Sequence, residues 1–535
     1  MIALFRPRVG LALALVLSAA LLSASVPSAT AAGGLGDPVF PALGNTGYRA
    51  LDYDLSFEYR PGSRTVDATA VITTRLSRTL AHLELDSLGL DVHAVRVDGR
   101  PARFATHGEK LTVTPARPLR RGATARLTVE YTADPRAALP HTGWVPTPDG
   151  FAVAGQPASA HTVFPCNDHP SDKARFTVAV TAPDALLGVA NGELTQTERL
   201  GDGRTTRHYV SREPMATELV QVSVGDYTVR ERTGPRGLPL RDVVPTARLA
   251  ELTPALDLTA DQLHWAEQHL GPFPFESYGI LPANTDDPAA FGFTGLETQT
   301  LTLYKPGFLR QAEPAIGSHM MHELVHSWFG DSVSPATWAD LWLNEGHADY
   351  YGLLYRYERG WPDAWGHTTL VDRMRMLYGL GDQWRHDAGP VASPTADNLF
   401  DSQRYTGGAL VLFALREKVG AATFDRIERT FLREHRYGNA TTRDYVRTAS
   451  EVSGQDLRGF LDDWLYGRRG GAGPRASSGS RIRSALVLPR GRATGGVGRP
   501  ACRPRTERRT IRSCGSPAVR ATTRSPRSSS RSTAT

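Results

Sequence analysis

The stretch from His322 to Glu345 constrains this chain more than any other. It reads His322-Glu323-Leu324-Val325-His326, then a spacer, then Asn344-Glu345-Gly346. Side chains four apart on a helix share a face. His322 and His326 therefore aim two imidazoles at one point, one turn apart, and Glu323 reaches the same space. Two nitrogen ligands beside a carboxylate placed as general base form the H-E-x-x-H arrangement of a zinc hydrolase. The flanks predict a helix: Pro314 stands near its start, Ile316, Met320 and Leu324 recur at helical spacing, and Gly330 follows its end. The five-residue pattern also arises by chance on surface helices, so a third ligand has to decide. A catalytic zinc takes three protein ligands and keeps a fourth position for water. Glu345, in Trp342-Leu343-Asn344-Glu345-Gly346-His347 at the start of a second predicted helix, completes a His, His, Glu set.

The surroundings of this motif carry a resemblance. Trp328-Phe329-Gly330-Asp331, Trp338, Asp340 and Trp342-Leu343-Asn344-Glu345-Gly346, with residues 327–344 as the spacer, resemble the aminopeptidase N and leukotriene hydrolase family of zinc peptidases. Upstream, Phe164-Pro165-Cys166-Asn167-Asp168-His169-Pro170 and Lys173-Ala174-Arg175-Phe176 are similar to the signature of that family's N-terminal saddle-shaped domain. The resemblance implies that Gln156, ahead of this signature, helps to grip a substrate's free amino terminus. Phe291-Gly292-Phe293-Thr294-Gly295-Leu296-Glu297-Thr298-Gln299 resembles the family's Gly-Ala-Met-Glu-Asn exopeptidase motif, with Thr294 and Thr298 as departures. It implies that Glu297 pairs with the α-ammonium while substrate backbone adds along a strand containing Gly295. Tyr405, in Arg404-Tyr405-Thr406-Gly407-Gly408, matches the family's oxyanion-stabilising Tyr. Gly407 stands where the family carries a basic residue. Phe460 to Gly467 resembles the closing helix of the family's catalytic domain.

The expected fold class is α+β: an N-terminal antiparallel β saddle or sandwich, then a thermolysin-like, mainly helical catalytic domain with a small mixed sheet. Residues 38–232 read as the β domain. Ala68–Leu76, Leu111–Thr114, Ala125–Tyr131, Phe176–Thr181 and Leu219–Val224 are short, rich in Val, Thr and Leu, and separated by turn signals such as Pro61-Gly62 and Asn191-Gly192. Residues 233–467 read as the peptidase domain. In it Leu252–Leu270 is expected as one helix closed by Gly271-Pro272, with strands at Tyr278–Leu281 and Leu296–Tyr304.

Both ends differ in texture. Arg6 and Arg8, the apolar run Val9–Leu22 and Ala29-Thr30-Ala31 read as a secretory signal peptide over residues 1–31, and hence as a secreted protein without a membrane anchor. Residues 468–535 hold 17 Arg, no Lys and one acid, Glu507, whereas residues 1–467 hold 44 basic and 54 acidic residues. The overall charge of +6 thus comes from the tail, and no specific nucleic-acid partner is expected of the folded part. So polar a run does not bury enough to fold. It reads either as a polyanion-binding arm or as a stretch translated from a shifted frame of a GC-rich gene; absent Lys beside abundant Arg favours the second.

Three cysteines, Cys166, Cys502 and Cys514, exclude a disulfide scaffold. No phosphate-binding loop and no G-x-S-x-G elbow is present. The combined expectation is an aminopeptidase using one Zn²⁺ held by His322, His326 and Glu345. Glu323 and Tyr405 would be catalytic, and Gln156, Glu297 and Gly295 would hold peptide substrates with a free N-terminus. A monomer is the default. A zinc endopeptidase and a catalytically silent peptide-binding protein are the alternatives, and epoxide hydrolysis enters by family analogy alone.

Overall fold

The computed structural model describes residues 34–290 and 292–467. The expected leader and the Arg-rich tail lie outside the described residues, as does Phe291 of the exopeptidase motif. The described chain is α+β, strands first and helices after.

Alternation builds the N-terminal part. In Thr65–Leu76 every second side chain, Val66, Ala68, Ala70, Ile72, Thr74 and Leu76, is buried. A strand's side chains point alternately to its two faces, so this pattern fixes one face on the core. That strand sits inside an eight-stranded sheet ordered Glu193–Arg199, Arg204–Met215, Ala174–Pro183, Tyr48–Arg60, Thr65–Leu76, Thr124–Ala133, Asp91–Val97, Arg100–Pro101. The expected antiparallel arrangement needs one correction. Tyr48–Arg60 runs parallel to Ala174–Pro183, from Asp52 opposite Arg175 to Glu58 opposite Thr181. Strands so far apart in sequence meet by a long return rather than a hairpin, and side-chain alternation is the same for both directions. Beneath the sheet Tyr53 stacks on Phe176 at 4.8 Å between ring centroids. Cys166 lies in this core, and burial pushes its thiol well up.

Three further sequence expectations are refined. The strand expected over Leu219–Val224 begins only at Val222, because Thr217–Leu219 forms a 3₁₀ turn. The hairpin Tyr227–Thr233 with Pro239–Pro245 crosses the division expected at residue 232. The strand expected over Leu296–Tyr304 is two short strands, Gly295–Leu296 and Thr302–Tyr304, paired antiparallel, with Thr300 at φ 65° in the turn between them. With Ile280–Pro282 they form a mixed sheet in which Gly295–Leu296 is an edge. Leu281, Leu296, Leu301 and Leu303 of this sheet pack into the same core as the N-terminal strands.

The helices are α1 (Leu249–Asp257), α2 (Thr259–Leu270), α3 (Pro306–Leu309), α4 (Glu313–Val325), α5 (Trp342–Glu358), α6 (Leu370–Ala388), α7 (Ser402–Val419), α8 (Ala421–Glu434), α9 (Thr442–Ser453) and α10 (Arg458–Tyr466). The single helix expected over Leu252–Leu270 is therefore α1 and α2. Leu258 keeps helical dihedrals at the junction, which leaves no breaker residue to read there. Gly271, at φ 94°, ends α2 as expected. Gly346 of α5 lies against Gly408 of α7 so closely that a Cβ on Gly346 would stand 2.9 Å from the Gly408 Cα. Only glycine lets two helix backbones touch this way, and Tyr405, earlier in α7, stacks on His322 of α4. Among the described residues no helix is long and apolar enough to cross a membrane.

Candidate active site

The site grows from α4. Pro314 in its first turn and a buried stripe of Ile316, Met320, Met321, Leu324 and Val325 set which face turns inward. His322 lies on that helix and His326 caps its C-terminal end, with ring centroids 4.8 Å apart. Their Nε2 atoms lie 3.4 Å and 3.5 Å from Oε2 of Glu345, which α5 presents from its first turn. All three residues are buried.

The other ring nitrogens are committed. His322 Nδ1 meets Asp349 Oδ1 at 3.1 Å, and His326 Nδ1 donates to the Phe329 carbonyl at 3.1 Å. Both imidazoles thus turn Nε2 towards Glu345, whose buried Oε2 has no hydrogen-bond donor. A zinc ion with ligands at about 2.0–2.1 Å in tetrahedral geometry places those ligands about 3.4 Å apart. The measured separations and the donor set of two nitrogens and one carboxylate oxygen fit that ion.

Charge at the site is arranged for a cation. Burial lowers the His326 pKa, but Glu297 and Glu345 outweigh it and push it up to about 9. Burial raises Glu345, and the two imidazoles pull it down to about 2. Burial pushes Glu323 up to about 8, against the pull of His322. His319, one turn before Glu323, has Nε2 3.2 Å from Glu323 Oε1, and burial drives it down to about 3, so it is neutral.

The other expected residues converge here. Gln156 Nε2 donates to Glu297 Oε1 at 2.6 Å across 141 residues of sequence. Glu297 lies at the end of the edge strand Gly295–Leu296, 5 % exposed. Gly295 faces the general-base candidate: a Cβ there would stand 2.7 Å from Glu323 Oε1. Tyr405 sits within α7, and its ring stacks on His322 at 5.9 Å and 9°. Burial, followed by the carboxylates of Glu345, Glu297 and Glu323, raises its hydroxyl well above the usual range, so it stays a donor. A cavity of about 270 Å³ opens beside His319 and His322, lined also by Asp349, Arg356, Trp365 and Arg373.

Sequence reasoning missed Asp349 and His319. Asp349 stands one helical turn after Glu345, and Thr406 Oγ1 donates to its Oδ2 at 2.9 Å, so it ties α4, α5 and α7 together. The same four-residue spacing that singled out His326 would have found it. From the N-terminal domain the Lys173 ammonium donates to the carbonyls of Asp331 and Ser332, at 2.6 Å and 3.1 Å, in the loop that follows α4.

The family descriptions "Peptidase M1 N-terminal domain" and "Peptidase family M1 domain" match residues 49–219 and 255–464. The solved M1 zinc metallopeptidase of Deinococcus radiodurans superposes with a TM-score of 0.70 at 30% identity, over 83% of this chain and 99% of that one. The chain belongs to the peptidase M1 family. Curated relatives of this M1 peptidase include aminopeptidase 2 of Candida albicans, 24% identical over 78% of this chain and 47% of that one. Glutamyl aminopeptidase of Bitis rhinoceros is 26% identical over 58% of this chain and 34% of its own length. The M1 chain thus spans between a third and a half of the curated relatives it matches.

Proposed function

We propose that the protein is a secreted, zinc-dependent aminopeptidase that removes the N-terminal residue from peptides. The observation that carries the reading is the Gln156–Glu297 pair, 2.6 Å apart, beside the His322, His326 and Glu345 cluster. Glu297 and Glu323 are two buried carboxylates grouped with His326. His326 Nδ1 already serves the Phe329 carbonyl and Gln156 gives Glu297 only a neutral donor, so Glu297 is the carboxylate left to take a cation from the substrate. An α-ammonium supplies it, and anchoring that group fixes which peptide bond reaches the reactive centre. The relatives named above are aminopeptidases, and a point mutant of the Deinococcus radiodurans enzyme was solved with a Tyr-Ser-Ala substrate. The leader pattern at residues 1–31 supports export.

His322, His326 and Glu345 would hold zinc, which supplies Lewis acidity towards water and the scissile carbonyl. Glu323 takes a proton from the attacking water and returns it to the departing amine. The Tyr405 hydroxyl donates to the oxyanion of the tetrahedral intermediate. Gln156 orients Glu297, and Glu297 receives the substrate ammonium. Backbone of the edge strand Gly295–Leu296 is free on one side to pair with substrate backbone.

Matched substrates test this reading. Leucyl-anilide is hydrolysed and acetyl-leucyl-anilide is not; Glu323→Gln loses about 10²–10⁴-fold in kcat/KM with zinc content unchanged. Cleavage of acetyl-capped peptides, or full activity in Glu323→Gln, would overturn it.

A further inference from the structure

Away from the candidate active site, three side chains of the N-terminal part converge without satisfying one another. His161 lies on the 3₁₀ turn Ala160–Thr162 and its side chain is 0% exposed. Its Nδ1 is 2.6 Å from Oδ2 of the buried Asp168. The other Asp168 oxygen accepts from Thr217 Oγ1 at 2.8 Å. Asp168 therefore holds the proton of His161 on Nδ1 and fixes the ring. That leaves Nε2 pointing to a place where no hydrogen-bond partner meets it. Glu109 Oε2 stands 3.7 Å from this nitrogen, and Glu109 Oε1 stands 3.9 Å from His141 Nε2, which also lacks a partner. The two rings are 5.5 Å apart, and one donor atom from each residue lies within 4.8 Å of the others.

We propose that Glu109, His141 and His161 form a second divalent-metal site, of the zinc class. Two imidazole nitrogens and one carboxylate oxygen are the donors that zinc takes. A carboxylate behind the inner ligand is the support that metal-binding histidines generally receive. The two rings face different oxygens of one carboxylate, His161 Nε2 at 3.7 Å from Oε2 and His141 Nε2 at 3.9 Å from Oε1, so the set is wider than that of His322 and His326, whose Nε2 atoms share Oε2 of Glu345 at 3.4 Å and 3.5 Å. His161 is fixed, whereas Glu109 and His141 have side chains 39% and 37% exposed and close that gap by small rotations.

The ligands come from three separate segments. Glu109 is on the turn between strands Arg103–His107 and Lys110–Thr114, His141 is on the loop after Thr124–Ala133, and His161 is on the turn that follows Gln156-Pro157. An ion there clamps two surface loops to the segment that delivers Gln156. Three protein ligands leave a fourth position for water on its half-exposed side.

The competing occupant of Nε2 is a proton shared with Glu109, and metal counting separates the two. Full-length protein is saturated with Zn²⁺, freed of excess by gel filtration and analysed for zinc per chain. Expected are two equivalents in wild type, one in His141→Ala, one in His326→Ala and none in the double variant. A single equivalent in wild type, removed by His326→Ala and untouched by His141→Ala, would mean that a proton and not a metal bridges the cluster, and would overturn the proposal. Two equivalents in His141→Ala would place the second ion elsewhere and overturn it as well. Thermal unfolding supplies a check independent of folding yield: Zn²⁺ raises Tm in His326→Ala and leaves it unchanged once His141→Ala is added. Two bound zinc ions in a chain that cleaves no peptide would refute the aminopeptidase reading and leave this one standing.

Discussion

Glu323 is placed by its neighbours as much as by its own helix. His319 and Gly295 both approach Oε1, at 3.2 Å and, for a Cβ built on Gly295, 2.7 Å. Gly295→Ala would push the carboxylate from the position it needs. A displacement near 1 Å costs about 10²-fold in rate. The expected result is a kcat/KM lower by about that factor with zinc content and Tm little changed; wild-type kinetics would show that Glu323 is not the base. At this scale the sequence was most legible where chemistry is local. His322, Glu323 and His326 lie within one helical turn and a half, so spacing singled them out and Glu345 decided between a zinc site and chance. Gln156 and Glu297 are 141 residues apart, and only the family resemblance joined them. Asp349 and His319 have the right helical spacing but sit in no known motif, and they were passed over.

Between elements, Asp349 is the joint. It belongs to α5, receives His322 of α4 on one oxygen and Thr406 of α7 on the other. Groups behind metal-binding histidines generally change affinity by about 10–100-fold when altered. Asp349→Asn is expected to weaken zinc binding by that factor, read by competition with a chromophoric chelator; an unchanged Kd would mean that α4 alone orients His322. Element type was readable wherever periodicity was long, as in Thr65–Leu76 and α4. Breaks were harder. Thr300 adopts φ 65° without being Gly or Asn, so the turn that separates Gly295–Leu296 from Thr302–Tyr304 left no turn residue to recognise. Its consequence is functional: Glu297 stands at a strand end, facing Gln156, rather than within a continuous strand.

Over the whole molecule, the segregation into strands and then helices followed from composition, whereas the parallel pairing of Tyr48–Arg60 with Ala174–Pro183 did not. Buried charges also set how the fold answers pH. Burial raises Glu218 to about 8, so the folded chain keeps a proton that the unfolded chain releases near its usual value of 4.5. Its stabilising effect is complete below that value and is lost as pH rises through about 8. Lys173, lowered by burial to about 8, acts only above that range and with the opposite slope. Glu218→Gln should therefore flatten the fall in stability between pH 5 and about 8, followed by urea unfolding; an unaltered profile would show that Glu218 is ionised in the fold. The most direct measurement is an anomalous-scattering map at the zinc edge from crystals of the zinc-loaded protein. Expected is a peak about 2.0–2.2 Å from Nε2 of His322, Nε2 of His326 and a carboxylate oxygen of Glu345. A map with no peak among those three side chains would contradict the zinc-peptidase reading at its root.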